Sequence, residues 1–244
     1  HIMSTQDDIQ KIAIENYSSS TPWPENDAWH KHTYISEKKI VEQWLEIASS
    51  KTMILLNAGS GGTEYQTQGT VIHLDIVESY IKNCKNYIVG SVDNIDLPDE
   101  SVDGVICVGS VLNYADAQRT ISEFSRILKP NGFFIIEFER SNSAEFFATS
   151  NYGKALFSKK YYYIQQTHML WLYSEKHIRQ LLNYYKLKVK HCKRIHTLSS
   201  ILNRIGLSEK TAALFSCYDS LFQLISYPFA HNTLLFGTKK FVPK

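Results

Sequence analysis

Gly59, Ser60, Gly61 and Gly62 follow directly on the apolar run Met53-Ile54-Leu55-Leu56, closed by Asn57 and Ala58. Glycines at the end of a buried strand let backbone approach a ligand without obstruction by a Cβ, so this loop points to a nucleotide-type ligand. Asp75 lies 18 positions beyond Asn57 at the end of a second apolar run, Val71-Ile72-His73-Leu74. At about that spacing an acidic side chain accepts hydrogen bonds from a ribose diol. A dinucleotide loop of the form GxGxxG requires a third glycine at position 64, where Glu64 stands, which counts against NAD. The plain alternative is a glycine turn with an aspartate serving as a cap.

Other chemically capable side chains are scattered. Asn113, Tyr114 and Glu139 follow the fourth and fifth apolar runs, on the edge where open α/β sheets bind ligands, and are candidates for a substrate pocket. Tyr162, within Tyr161-Tyr162-Tyr163, and His168 are further pocket candidates, although an aromatic-rich segment must bury its apolar area in any case. His30 and His32 lie among Trp23, Trp29 and Tyr34 without zinc-type spacing, and the four cysteines form no CxxC pair. No metal site is expected. No individual catalytic residue is assigned.

The elements that must position these residues alternate along the first two-thirds of the chain, the rhythm of a parallel sheet with crossover helices. Residues 36–48 have helical spacing through Ile40, Val41, Trp44, Leu45 and Ile47. Strands are expected at 53–56, 71–75, 87–89, 105–108 and 133–136, with a helix at 117–128 stopped by Lys129-Pro130-Asn131-Gly132. Residues 141–170 show no clear strand and are expected to form an inserted lid. A helix over 174–185 precedes an edge strand at 186–194, whose outward Lys186, Lys188 and Lys190 would deter pairing with other chains. A mostly helical insertion over 198–229 and a final strand at 233–238 complete seven strands. Leu214, Phe215, Tyr218, Leu221, Phe222, Leu224 and Ile225 give that insertion an apolar face, which leaves a homodimer open as well as lid or core packing. The division expected is an arm over 1–34, a binding core over 35–140, a lid over 141–170 and a C-terminal completion over 171–244.

Of 244 residues, 43% are hydrophobic and 20% charged, the balance of a globular domain. A net charge of +2 excludes the strong basic field of a nucleic-acid binder. No apolar run reaches the ~18 residues of a transmembrane helix. The cysteine spacing fits a reducing cytoplasm. His1-Ile2-Met3 reads as a tag remnant and carries no functional argument.

Taken together, the glycine loop, Asp75, the stretch from Gly90 through Asp93 and Leu97-Pro98 to Asp103, and Ile127-Leu128-Lys129-Pro130-Asn131-Gly132 resemble the class I S-adenosylmethionine-dependent methyltransferases over residues 35–139. That resemblance implies a Rossmann-like α/β fold: seven mostly parallel strands with an antiparallel last strand, helices on both faces, and helical lid insertions. By position it assigns Gly59, Ser60 and Gly61 to the methionine moiety, Asp75 to the ribose and Ile76 to the adenine face. Ser91, Val92 and Asp93 would border the adenine edge, and Val108 and Gly109 would approach the sulfonium. Asn57, also assigned to the cofactor, stands where the family usually has an acidic residue; it can still hydrogen-bond but brings no carboxylate to the methionine ammonium, so some cofactor affinity is expected to come from elsewhere. The implied function is methyl transfer from S-adenosylmethionine to a small-molecule acceptor. A peptide acceptor, a non-catalytic cofactor-binding module and a nicotinamide oxidoreductase are the alternatives.

Overall fold

The computed structural model describes residues 2–18, 28–163, 166–208, 211 and 227–241. Helices α1 (Ile2–Ser18) and α2 (Ala28–Ala48) precede β1 (Ile54–Ala58), β2 (Thr70–Asp75), α3 (Glu78–Ile81), β3 (Tyr87–Val89) and β4 (Val102–Cys107). Next come α4 (Val111–Tyr114), α5 (Ala117–Ile127), β5 (Leu128–Glu139), β6 (Leu156–Tyr163) and β7 (Gln166–Tyr173). The chain ends with α6 (Glu175–Tyr184), β8 (Leu187–Ile195), α7 (Leu198–Arg204) and β9 (Asn232–Lys239).

Seven strands form one sheet in the order β3-β2-β1-β4-β5-β9-β8. β1 to β5 run parallel, and β9 is antiparallel to both β5 and β8. The order reverses between β1 and β4, which opens a crevice at the carboxyl ends of these two strands. The central strands are buried on both faces, which explains their continuous apolar runs. Leu56, Leu74, Val105 and Phe134 pack under Ile121 and Phe124 of α5 and Ile178 of α6. Leu55, Ile106, Ile135 and Leu234 pack against Val41 and Leu45 of α2 on the other face.

Local chemistry sets the helix starts. Asp116 accepts a hydrogen bond from the Arg119 N–H at 3.0 Å, and Ser174 accepts one from the His177 N–H at 3.2 Å, as N-caps do. β8 is the edge strand expected, with Lys186, Lys188 and Lys190 exposed. Arg140, wholly buried, donates to the Ala230 carbonyl at 3.3 Å and lies 3.7 Å from Glu175, so the end of β5 is tied to the chain entering β9.

Three expectations change. Residues 141–170 hold no helical lid: a 3-10 turn at Ala144–Phe146 is followed by the hairpin β6-β7. The boundary at 170 falls inside β7, which runs on to Tyr173 and bridges Arg140 beside the main sheet. The aromatic and β-branched content of Phe157, Tyr161, Thr167 and Trp171 suits a pleated surface, and it decides the local structure where helical periodicity is lacking. In α2 the helix begins eight residues earlier than its apolar spacing predicts, and Ile47 is 87% exposed. The buried stripe is instead Thr33, Glu37, Val41 and Leu45, at i, i+4 spacing, two of its members polar. The apolar face expected over Leu214–Ile225 lies outside the described residues. No helix among the described residues is long and apolar enough to cross a membrane.

Candidate functional site

A cavity opens at the carboxyl ends of β1, β2 and β4, in the crevice where the strand order reverses. The glycine loop forms its floor. The Gly59 and Ser60 N–H groups both donate to the Leu74 carbonyl, at 2.8 and 3.0 Å, stitching the loop to the end of β2. Gly59 has φ +67°, and a Cβ there would lie 2.4 Å from both methyl carbons of Val111, so glycine is required twice over.

Asp75 lines the cavity with its carboxylate largely buried. One oxygen accepts the Gly61 N–H at 2.7 Å and the other the Val77 N–H at 2.9 Å. Burial pushes its pKa up, partly opposed by the backbone N–H groups of Val77, Gly61 and Ile76. Each oxygen keeps a second lone pair for a donor in the cavity. Asn57 also lines the cavity, and its amide donates to the Thr63 carbonyl at 2.9 Å, which closes the loop. Ile76, Ser91, Val92, Val108 and Gly109 stand on the cavity wall as well. Asp93 does not: it sits behind Ser91, accepting the Ser91 hydroxyl at 2.5 Å and the Gln10 amide at 3.2 Å.

Helix α1 forms the cover. Gln10, Ala13 and Tyr17 line the cavity, and Ile9 is buried in the core below. Gln6 donates to the Tyr114 carbonyl at 3.1 Å and accepts the Trp171 indole N–H at 2.6 Å, which fixes α1 across α4 and β7. The Tyr17 and Tyr114 hydroxyls meet at 3.0 Å.

The end of the cavity away from Asp75 is rich in carboxylates. Ser110, at φ +59°, donates its N–H to Glu137 at 2.5 Å and its hydroxyl to Glu139 at 2.9 Å. Glu139 also lies 3.3 Å from His231. Burial alone would raise Glu139, but the His231 and Ser110 contacts outweigh it and hold the carboxyl below its ordinary value. Burial would lower His231, and its contact with Glu139 outweighs that and raises it. Glu137 is pushed up to about 7 by burial, opposed in part by Asn232 and Ser110.

Of the substrate-pocket candidates, Tyr114 and Glu139 line the cavity. Asn113 does not. It is wholly buried, donates to the Glu139 and Trp171 carbonyls at 3.0 and 2.7 Å and accepts the Glu139 N–H at 2.9 Å, so it clamps α4 to β5 and β7. Tyr162 is 75% exposed on β6, away from the cavity wall. His168 is buried 3.4 Å from the Tyr114 hydroxyl, behind the wall, while Leu170 two residues on reaches it. Sequence reasoning missed Gln10, Tyr17, Thr33, Tyr65, Ser110, His231 and Asn232, all on the wall. Only Thr33 left a signal, as a polar member of the stripe that α2 turns inward. Among the described residues, Glu64, His73 and Cys84 bring possible ligand atoms within 4.8 Å of one another. Glu64 is mostly exposed and lies 3.6 Å from His73, whose other ring nitrogen is 2.7 Å from the Ser60 hydroxyl, so local polar contacts account for the trio.

The family model described as a methyltransferase domain matches residues 56–136, the span from the glycine loop to the fifth strand. Over those residues the chain is similar to a methyltransferase domain. No curated protein matches it. Solved structures share the fold at low identity. A Burkholderia thailandensis 1,6-didemethyltoxoflavin-N1-methyltransferase, bound to 1,6-didemethyltoxoflavin and S-adenosylhomocysteine, is 12% identical, with 97% of this chain and 91% of that one covered and a TM-score of 0.58. An S-adenosylmethionine-dependent methyltransferase from Archaeoglobus fulgidus is 16% identical over 83% and 94% of the chains, with a TM-score of 0.53. The [4+2]-cyclase SpnF is 11% identical over 98% and 97%, with a TM-score of 0.61. The residues present fit S-adenosylmethionine: a glycine cradle that a Cβ would fill, and a carboxylate at the β2 end with acceptor capacity facing the cavity.

Proposed function

We propose that the protein transfers the methyl group of S-adenosylmethionine to a small-molecule acceptor by in-line displacement. The observation that carries this reading is the covered cavity. It runs from Asp75 to Glu139 and His231 and is bounded at its far end by Tyr17, Tyr114 and Leu170, with α1 laid across it. A concave, covered, mostly apolar site with a few convergent polar groups suits a small ligand better than a polymer. The net charge of +2 supports the same choice. The Burkholderia neighbour, which shares the fold, holds a small heterocycle beside S-adenosylhomocysteine. The free thiols Cys84, Cys107 and Cys192 suit a cytoplasmic setting.

The cofactor supplies an already activated methyl group on a sulfonium. Chain residues have then to bind, orient and exclude water, and alignment of the nucleophile supplies much of the acceleration. In this assignment Gly59, Ser60 and Gly61 lie beside the methionine moiety and Asp75 accepts the ribose hydroxyls. Ile76, Ser91 and Val92 surround the adenine, and Val108 and Gly109 approach the sulfonium. The Glu139–His231 pair stands at the acceptor end of the cavity and takes up the proton released as the bond to carbon forms.

Labelled S-adenosylmethionine offered with a cell extract tests the proposal. Label above a heat-killed control is expected in the low-molecular-weight fraction. Label confined to precipitated protein would move the acceptor to peptides, and no transfer alongside intact S-adenosylhomocysteine binding would make the domain a non-catalytic module.

A further inference from the structure

Glu37 occupies a core position. It stands in the buried stripe of α2 one turn after Thr33 and one before Val41, and it is 2% exposed. Neither of its carboxyl oxygens has a hydrogen-bond partner among the described residues. An acidic side chain at such a position disfavours folding unless its charge is compensated, because burial removes the water that solvates it.

The surroundings narrow what could compensate it. Glu137 is held by Asn232 and Ser110, and Glu139 by Ser110 and His231. Glu37 has no side-chain partner of this kind among the described residues. The Gly109 backbone N–H favours its charged form, while burial and the two neighbouring glutamates push its pKa well up. Gly109 lines the cavity. So does Thr33 on the preceding turn, and so does Tyr65, whose phenol is raised by burial and by the proximity of Glu37. Glu37 itself is not on the cavity wall; it stands behind Thr33, Tyr65 and Gly109, where the wall joins the glycine loop to the end of β4. At the same end Asn57, which carries no charge, spends its amide on the Thr63 carbonyl.

We propose that Glu37 supplies, from behind this wall, the negative charge that Asn57 lacks opposite the α-ammonium of S-adenosylmethionine. The inference rests on reading the cavity as the cofactor site. A buried carboxylate in α2 and an uncharged residue at the end of β1 are then two parts of one arrangement, with the anion moved from the strand to the helix beside it. The ammonium would favour the ionised carboxylate, whose proton leaves to solvent as the ligand binds.

Calorimetric titration of the full chain tests this with two ligands, S-adenosylhomocysteine and its analogue lacking only the α-amino group, against the parent and Glu37→Gln. Glutamine keeps the shape and removes the buried charge, so the variant is expected to fold with an unchanged or higher melting temperature. The parent should prefer the amino-bearing ligand by roughly tenfold or more, the scale of one hydrogen bond between charged groups. In Glu37→Gln that preference should fall below about threefold, on the same scale, while affinity for the des-amino analogue stays nearly constant. A preference retained in Glu37→Gln, or equal affinity of the parent for both ligands, would overturn the assignment. If Glu37→Gln fails to fold, Glu37→Met, which fills the buried position with an apolar chain, takes its place in the same comparison. A parent that binds neither ligand would remove the cofactor reading itself, a result distinct from loss of the Glu37 assignment alone.

Discussion

Asp75 carries two loads at once. Its carboxylate holds the Gly61 and Val77 N–H groups and faces the cavity with its remaining lone pairs. Asp75→Ala should weaken S-adenosylhomocysteine binding by roughly 1.5–3 kcal/mol, the range for hydrogen bonds to a charged group. Calorimetry on the folded variant checks this, and parent-like affinity would reduce Asp75 to a strand-end cap. His168 gives a pH prediction. Burial, with a smaller contribution from His30, lowers its pKa from 6.5 to about 4 in the folded protein. The unfolded chain therefore binds the proton first, so this histidine's contribution is complete above 6.5 and is lost as pH falls toward about 4. Urea midpoints for His168→Gln should decline less than those of the parent across that window, and parallel declines would show that another group controls the acid limb. Asp75 and the glycines were legible because their chemistry is local to a strand end. His231 was not, since its meaning comes from Glu139, 92 positions earlier in the chain and two strands' ends away only in space.

Among the elements, α1 and the β6-β7 hairpin set the boundary of the site. α1 places Gln10, Ala13 and Tyr17 on the cavity wall. A single helix held from one side, through Ile9, Gln6, Gln10, Asn16 and Tyr17, opens at lower cost than the sheet beneath it. S-adenosylhomocysteine should therefore slow amide hydrogen exchange in α1 more than in α5, which the ligand does not touch. Mass-spectrometric exchange measures it, and unchanged α1 amides beside a protected glycine loop would show that α1 covers no ligand. The hairpin contributes differently, through Leu170 on the wall and Trp171 as the donor to Gln6. Helix α5 and the central strands were readable from periodicity, whereas the hairpin was not, because aromatic residues serve a lid, a core or a pleated strand equally well.

At the scale of the molecule, a ligand that binds only the folded state stabilises it by mass action, by about 2.7 kcal/mol at a hundredfold excess over its Kd. For a chain of this size that corresponds to a rise in Tm of roughly 5–10 °C. Differential scanning fluorimetry should show that rise with S-adenosylhomocysteine and little with NAD, whose loop would need glycine where Glu64 stands. A larger shift with NAD would overturn the cofactor. The amino-acid sequence by itself determined the alternating α/β order, the glycine loop, Asp75 and the edge strand, because each is written in contiguous residues whose spacing follows from backbone geometry. Only the tertiary structure decided which carboxylates meet. Glu37, Glu137, Glu139 and His231 come from a helix and from two neighbouring strand ends, and what each can do depends on burial and on the partners that packing brings or withholds. Spacing along the chain carries no record of either.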